Sequence, residues 1–336
     1  MRVDIILEPH LPAVQLARLA AVAEHYGIAG VWLPNNIAAR DPFVNLVATA
    51  AGTRRIRLGP CAVSPFELHP MRMANALLTL NEESAGRAQI VVGGGGGTLQ
   101  AMGLKPTRMV RAVQECVGIL KLAASGQPGS YRGQVYPVGW LDASWATSAA
   151  PDIYVGANGP QMLAMAARVA DGIMVSDFTA GRVRETRAFI EPPLRAAGRD
   201  PATFALSNFW AWHVKATRAE AHAEARRYLT ARGTIWEPYV HDVLDPDEAK
   251  LVLANHPAFV KAYQARSPEI PGVPEAILDK LVAGGTSASS RADIEQEVER
   301  FRTFKAAGLT GIALCLYGDP EASIRLIGQH VVPAVA

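Results

Sequence analysis

The chain reads as an α/β protein, specifically a (β/α)8 TIM barrel with insertions, the larger of them after the seventh strand. Three observations predict this fold. Short apolar runs alternate with amphipathic stretches from end to end, the pattern of repeated βα units around a parallel sheet. Eight such runs can be counted, and eight strands each followed by a helix is the arithmetic of a closed barrel. The first run leads into the segment Glu8 to Pro12, not the Gly-x-Gly-x-x-Gly turn expected after the first strand of a doubly wound sheet. A length of 336 residues with 49% hydrophobic content suffices for one large domain over residues 1–336.

The first strand is expected at Val3 to Leu7, and the helix after it places apolar residues Leu16, Leu19, Ala20 and Ala23 on one face. Strands two and three fall at Gly30 to Leu33 and Ile56 to Val63. Beyond the third, His69 stands before Pro70 at a helix start, where a histidine caps or packs. The fourth strand, Ala88 to Val92, runs into the glycines Gly93 to Gly97. A connection rich in Gly, Ser and Trp between Ser125 and Pro151 suggests a small hairpin. The fifth strand, Ile153 to Gly156, ends in an Asn158-Gly159 turn with Pro160 placed as a first helical residue. The sixth and seventh run from Gly172 to Ser176 and from Ala205 to Val214, and the eighth from Gly311 to Leu316. Between the last two, residues 235–288 are expected to form a helical cover over the barrel mouth, with Trp236 and Tyr239 in the substrate wall.

Composition removes several function classes. With 33 Lys+Arg against 31 Asp+Glu and no basic run, nucleic acid is not an expected partner. No stretch is long and apolar enough to span a membrane, and no secretion signal is read at the start. The 3 cysteines, Cys61, Cys116 and Cys315, are widely spaced, so neither a disulfide framework nor a zinc site is expected. A cytoplasmic enzyme of small molecules, in a possible homodimer and without a metal, is the expectation.

In a barrel, residues at the carboxyl ends of the strands converge on one pocket. Here they are Glu8 and His10, Asn35 and Asn36, Cys61 to Ser64 with Ala62 and Val63 between, Gly93 to Gly97 including Gly94 and Gly95, Ala157 to Gly159, Ser176 to Thr179, and His213. Small, amide and backbone-rich groups suit a large planar cofactor with a phosphate better than a metal. The helix start at Asn158 and Gly159 offers backbone donors to an anion, and Ser176, Thr179 and Arg182 follow the next strand. A proton donor is needed wherever hydride adds to a polarised double bond. Glu8 ranks first for that role, with Asn36 and Asn35 as neutral donors and His213 next in line.

Four segments carry a family resemblance: Gly30 to Asn36, Leu58 to Pro70, Leu80 to Gly95, and Pro151 to Asp177. Together with the closing stretches from Gly308 and Gly318, they resemble the luciferase-like superfamily, in particular its coenzyme F420-dependent branch, which includes the methylenetetrahydromethanopterin reductases. The resemblance implies a non-prolyl cis peptide at Cys61-Ala62 backing a deazaflavin ring, and a phosphate held against Ala157, Asn158 and Gly159 near Ser176 and Thr179. In the sugar-phosphate dehydrogenases of this group a histidine ends the second strand and a glutamate follows the fourth. Asn36 and Gly96 stand in those places, so reduction is the expected direction rather than sugar-phosphate oxidation. An F420-dependent oxidoreductase leads. An FMN-dependent monooxygenase of the same superfamily and a non-catalytic cofactor-binding protein stay open beside it.

Overall fold

The computed structural model describes residues 1–36 and 38–336. All eight expected strands are present: β1 (Arg2–Ile6), β2 (Gly30–Pro34), β3 (Arg57–Val63), β4 (Gln89–Val92), β5 (Asp152–Gly156), β6 (Gly172–Ser176), β7 (Ala205–Trp212) and β8 (Gly311–Leu316). They lie in the order β7-β8-β1-β2-β3-β4-β5-β6, and a further pairing of β6 with β7 closes the ring into a (β/α)8 barrel. The strands are legible as solid apolar runs because a parallel sheet is covered on both faces; all six residues of β8, for example, are buried.

Two differences from the expected strands have local causes. β7 stops at Trp212, so His213 and Val214 lie beyond it. A further two-residue strand, Thr286–Ser287, pairs in parallel with β7, Thr286 opposite Ala211 and Ser287 opposite Trp212. Two polar residues give no apolar run to read.

The chain packs as two compact units, one of Asp4–Met174 and Phe189–Ser207, the other of Met1–Val3, Val175–Ala188 and Asn208–Ala336. The first unit holds β1 to β5. Its first helix, Ala13–His25, buries Leu16, Leu19, Ala20 and Ala23, the face read from the apolar spacing. The strand interior carries a polar layer: the Trp32 indole donates to Asp4 at 2.9 Å, and the Tyr154 ring meets Trp32 edge-on. Glycines make room for it. A Cβ on Gly30 would stand 2.8 Å from Asp4 Oδ1, and one on Gly172 would stand 2.3 Å from the Tyr154 ring.

Arg87 fastens the base of this unit by donating to the carbonyls of Ser84, Ile56, Ala50 and Thr53 and to the Thr53 hydroxyl. The connection after the Met109–Ala124 helix is an antiparallel hairpin, Gly129–Tyr131 with Val138–Leu141. Glu115 of that helix ties the hairpin's turn down. Its carboxylate accepts the successive N–H groups of Gln134, Val135 and Tyr136 at 2.8, 2.9 and 2.8 Å.

The second unit contains β7, β8 and a long excursion between β7 and Thr286. The excursion includes helices Arg218–Arg227, Pro246–Ala254, His256–Ala265 and Glu275–Gly285. Leu229, Ile235, Val240, Phe259, Leu278 and Leu281 form part of its own apolar core. At its root Arg232 and Asp177 make a buried ion pair at 3.1 Å, and Asp177 also accepts the Gly233 N–H at 2.8 Å. Burial opposes the charge of Arg232, but the Asp177 carboxylate outweighs it and holds the guanidinium more firmly protonated than an ordinary arginine. Among the described residues no helix is long and apolar enough to cross a membrane.

Candidate active site

The first unit brings together most of the residues singled out in the sequence. β3 pairs with β4 through Cys61 opposite Val91 and Val63 opposite Val92, so Ala62 is the extra residue of a β-bulge. The Cys61-Ala62 peptide is cis. Cys61 and Val63 turn inward and are buried, whereas Ala62 is exposed. Both flanks are held by neighbouring backbone: Asn35 N–H donates to the Cys61 carbonyl at 3.2 Å and Gly93 N–H to the Val63 carbonyl at 3.0 Å.

Around Ala62 the structure keeps side chains away. A Cβ on Gly93 would come within 3.0 Å of the Ala62 methyl, and one on Gly156 within 4.0 Å. Gly94 lies against the Met109 thioether, and Gly95 takes a φ of +81° that suits glycine. Beyond them Gly96 and Gly97 open a short helix, Gly97–Ala101. The result is a small-residue platform at the end of β3, bordered by glycine backbone. A flat ring fits such a surface, and a bulky side chain does not.

At the end of β5, Gly159 is the cap and Pro160 the first residue of the Pro160–Val169 helix. The N–H groups of its first turn have no intrahelical acceptor and point at whatever lies before the helix. A Cβ on Gly159 would meet nothing within 4 Å, so the approach is open. Ala157 is buried, and its own N–H is committed to the Met174 carbonyl at 3.1 Å. An anion at this point would meet the N–H groups of Asn158, Gly159 and the helix start.

The proton-donor candidates separate. Glu8 is exposed in the loop after β1, with its carbonyl accepting from Leu11. Asn36 is also exposed, just past β2. Asn35 is drawn inward: its side-chain amide donates to Glu67 at 2.6 Å. Glu67 was not singled out in the sequence, because nothing periodic links a lone acid in a loop to an amide 32 positions earlier. The link comes from the parallel register that sets Pro34 opposite Cys61. The one signal available was an acid between Phe66 and Leu68 in an otherwise apolar stretch. His69 caps the Pro70–Glu83 helix, its Nδ1 accepting the Met71 N–H at 3.2 Å.

In the second unit the remaining candidates have structural partners of their own. Ser176 donates to Asp177 at 3.1 Å, and the Thr179 hydroxyl accepts the Arg182 N–H at 3.3 Å. The Arg182 guanidinium forks onto both oxygens of Asp242. His213 is 0% exposed. Its Nδ1 faces Glu224 at 2.8 Å, and its ring stacks on Tyr317, with Tyr228 near by. Burial, partly opposed by Glu224, pushes its pKa below the ordinary histidine value. A side chain so enclosed does not meet a ligand directly. The strand alternation that set it opposite Trp210 and Trp212 does not read as solvent against core here, because all three are buried.

Sequence comparison assigns the whole architecture. The sequence pattern of luciferase-like monooxygenases matches residues 4–311. The chain belongs to the luciferase-like monooxygenase family. A relative within reach is the 5,10-methylenetetrahydromethanopterin reductase of Archaeoglobus fulgidus, 25% identical over 339 residues with 99% of each chain covered. Two solved structures share the luciferase-like fold along their full length. The F420-dependent tetrahydromethanopterin reductase of Methanopyrus kandleri overlays with a TM-score of 0.82 at 22% identity, covering 100% of both chains. An F420-dependent secondary alcohol dehydrogenase, solved with an F420-acetone adduct, overlays with a TM-score of 0.76 at 19% identity, again over 100% of both.

Proposed function

We propose that this protein is an F420-dependent oxidoreductase, a reductase passing hydride between the deazaflavin and a small organic substrate. The observation that carries the reading is the exposed Ala62 bulge with its glycine border, in a chain similar from end to end to methylenetetrahydromethanopterin reductase. The residues present fit the cofactor's two ends. The Ala62 platform, with Cys61 and Val63 holding it from below and Gly94 and Gly95 beside it, takes the ring. The helix start at Asn158 and Gly159, with Ala157 behind it, takes an anionic phosphate.

When bound, F420 supplies the hydride chemistry itself, and the protein supplies binding, orientation and exclusion of water. Asn35 and the Gly93 backbone hold the bulge in place from either side. Asn36, exposed just past β2, joins the proposed cofactor environment within the same unit.

The test is a fluorescence titration of the purified protein with F420 and, separately, with FMN, followed by anaerobic and aerobic turnover of the reduced cofactors. Saturable F420 binding with oxygen-independent oxidation by an organic acceptor is expected. Preference for FMN with oxygen consumed in step with product would assign the monooxygenase alternative. Tight binding with no hydride exchange would leave a cofactor-binding protein.

A further inference from the structure

We propose that Glu67 is the carboxyl that exchanges a proton with the substrate in this site, and that Asn35 is the residue that positions it; the proposal rests on the hydride-transfer reading above. Asn35 is held at both ends. Its backbone N–H donates to the Cys61 carbonyl of the bulge, and its side-chain amide donates to Glu67 Oε2 at 2.6 Å. The carboxyl is therefore one residue removed from the ring platform, and its position is fixed by the same amide that braces the platform.

The loop carrying Glu67 is itself pinned. The N–H groups of Glu67 and Leu68 donate to the Ser64 carbonyl at 3.1 Å each. Phe66 N–H donates to the Ser64 hydroxyl at 3.2 Å, and the Tyr136 hydroxyl donates to the Pro65 carbonyl at 2.9 Å.

Three other enclosed carboxylates are committed to structural partners. Glu115 has three backbone N–H donors, Glu224 has His213 and Lys215, and Asp177 has Arg232. Glu67 has one neutral amide and, among the described residues, no cation. The titratable groups packed against its loop are His69, whose Nδ1 is occupied by the Met71 N–H, and Tyr136, whose hydroxyl is given to Pro65. Burial raises the Glu67 pKa, and the Asn35 amide only partly opposes it. That is the setting of a carboxyl that keeps its proton to higher pH than an ordinary glutamate.

The Asn35 contact also decides which oxygen carries the proton. An amide N–H donates and cannot accept, so Oε2 stays the carbonyl oxygen and the hydroxyl sits on Oε1. The step balances for a substrate whose reducible double bond ends in oxygen or nitrogen. The substrate carbon gains the hydride as a new C–H bond, the π pair moves to the heteroatom, and that atom takes the proton from Oε1. Glu67 is left as a carboxylate, still accepting from Asn35, and regains a proton from water. The substrate class implied is a carbonyl or an imine.

The test uses protein labelled with δ-13C glutamate, wild type and Glu67→Gln, with and without F420. One carboxyl resonance is expected to titrate above the ordinary glutamate range, to be missing from the variant, and to move when F420 binds. With reduced F420 and cyclohexanone as hydride acceptor, Glu67→Gln is expected to slow single turnover by about 10²–10⁴-fold. F420 affinity should hold within about twofold, the fall in rate with rising pH should disappear, and Glu67→Asp should restore part of the rate. A Glu67 resonance that titrates in the ordinary range, or ignores F420, overturns the assignment. So does an unchanged pH profile in the variant. Wild-type protein that fails to bind F420 at all overturns the reading on which the proposal rests, and the two failures are told apart by the unlabelled binding curve alone.

Discussion

Gly159 acts through what it lacks. The space a Cβ would fill is open, and the helix start behind it has N–H groups without intrahelical acceptors. Valine there leaves the protein's packing alone but stands between the donors and an anion. Gly159→Val is expected to weaken F420 binding by at least about tenfold, the worth of one hydrogen bond to a charged group, with an unchanged urea midpoint. Equal affinity in parent and variant would move the phosphate elsewhere. At this scale the sequence speaks clearly where a residue's role is local. Pro160 at a first helical position and His69 as a cap are read from their neighbours alone. It falls silent where a role depends on a distant partner, as for Glu67 with Asn35, or on enclosure from several sides, as for His213 against Glu224 and Tyr317.

Among the elements, the barrel strands and the first helix were readable because burial imposes a pattern on them, and the Thr286–Ser287 strand was not because two polar residues form none. The hairpin after the Met109–Ala124 helix depends on a single charge. Burial opposes that charge on Glu115, yet the three N–H groups of residues 134–136 outweigh it and hold its pKa below the ordinary glutamate range. A depressed pKa contributes stability that is complete above the unfolded value, about 4.3, and is lost as pH falls through the folded one. Glu115→Gln is therefore expected to cost about 1.5–3 kcal/mol at neutral pH and to flatten the acid limb of the stability curve, read by urea unfolding at several pH values. A variant as acid-sensitive as its parent would show that the hairpin is fastened by something else.

For the whole molecule, a ligand that binds only the folded barrel raises its stability by mass action, about 2.7 kcal/mol at a hundred times Kd. F420 at that excess is expected to raise the melting temperature measurably, and FMN at the same concentration to leave it in place; the opposite ranking would favour the monooxygenase reading. A barrel alone does not choose between these chemistries, and connections added to a scaffold vary more readily than its strands. Here the addition has a particular topology. The excursion leaves β7 after Trp212 and returns at Thr286, whose partner in the ladder is Ala211. Its two ends are thus one strand spacing apart, about 4.8 Å. In engineering terms residues 213–285 are a cassette with its splice points on adjacent rungs of one ladder, and lengthening or replacing such a loop carries only a slowly growing entropic cost. A donor segment grafted there leaves every rung between barrel strands intact. Among the described residues, the ties it would have to reproduce include the arginine that answers Asp177 and the acid that answers Arg182.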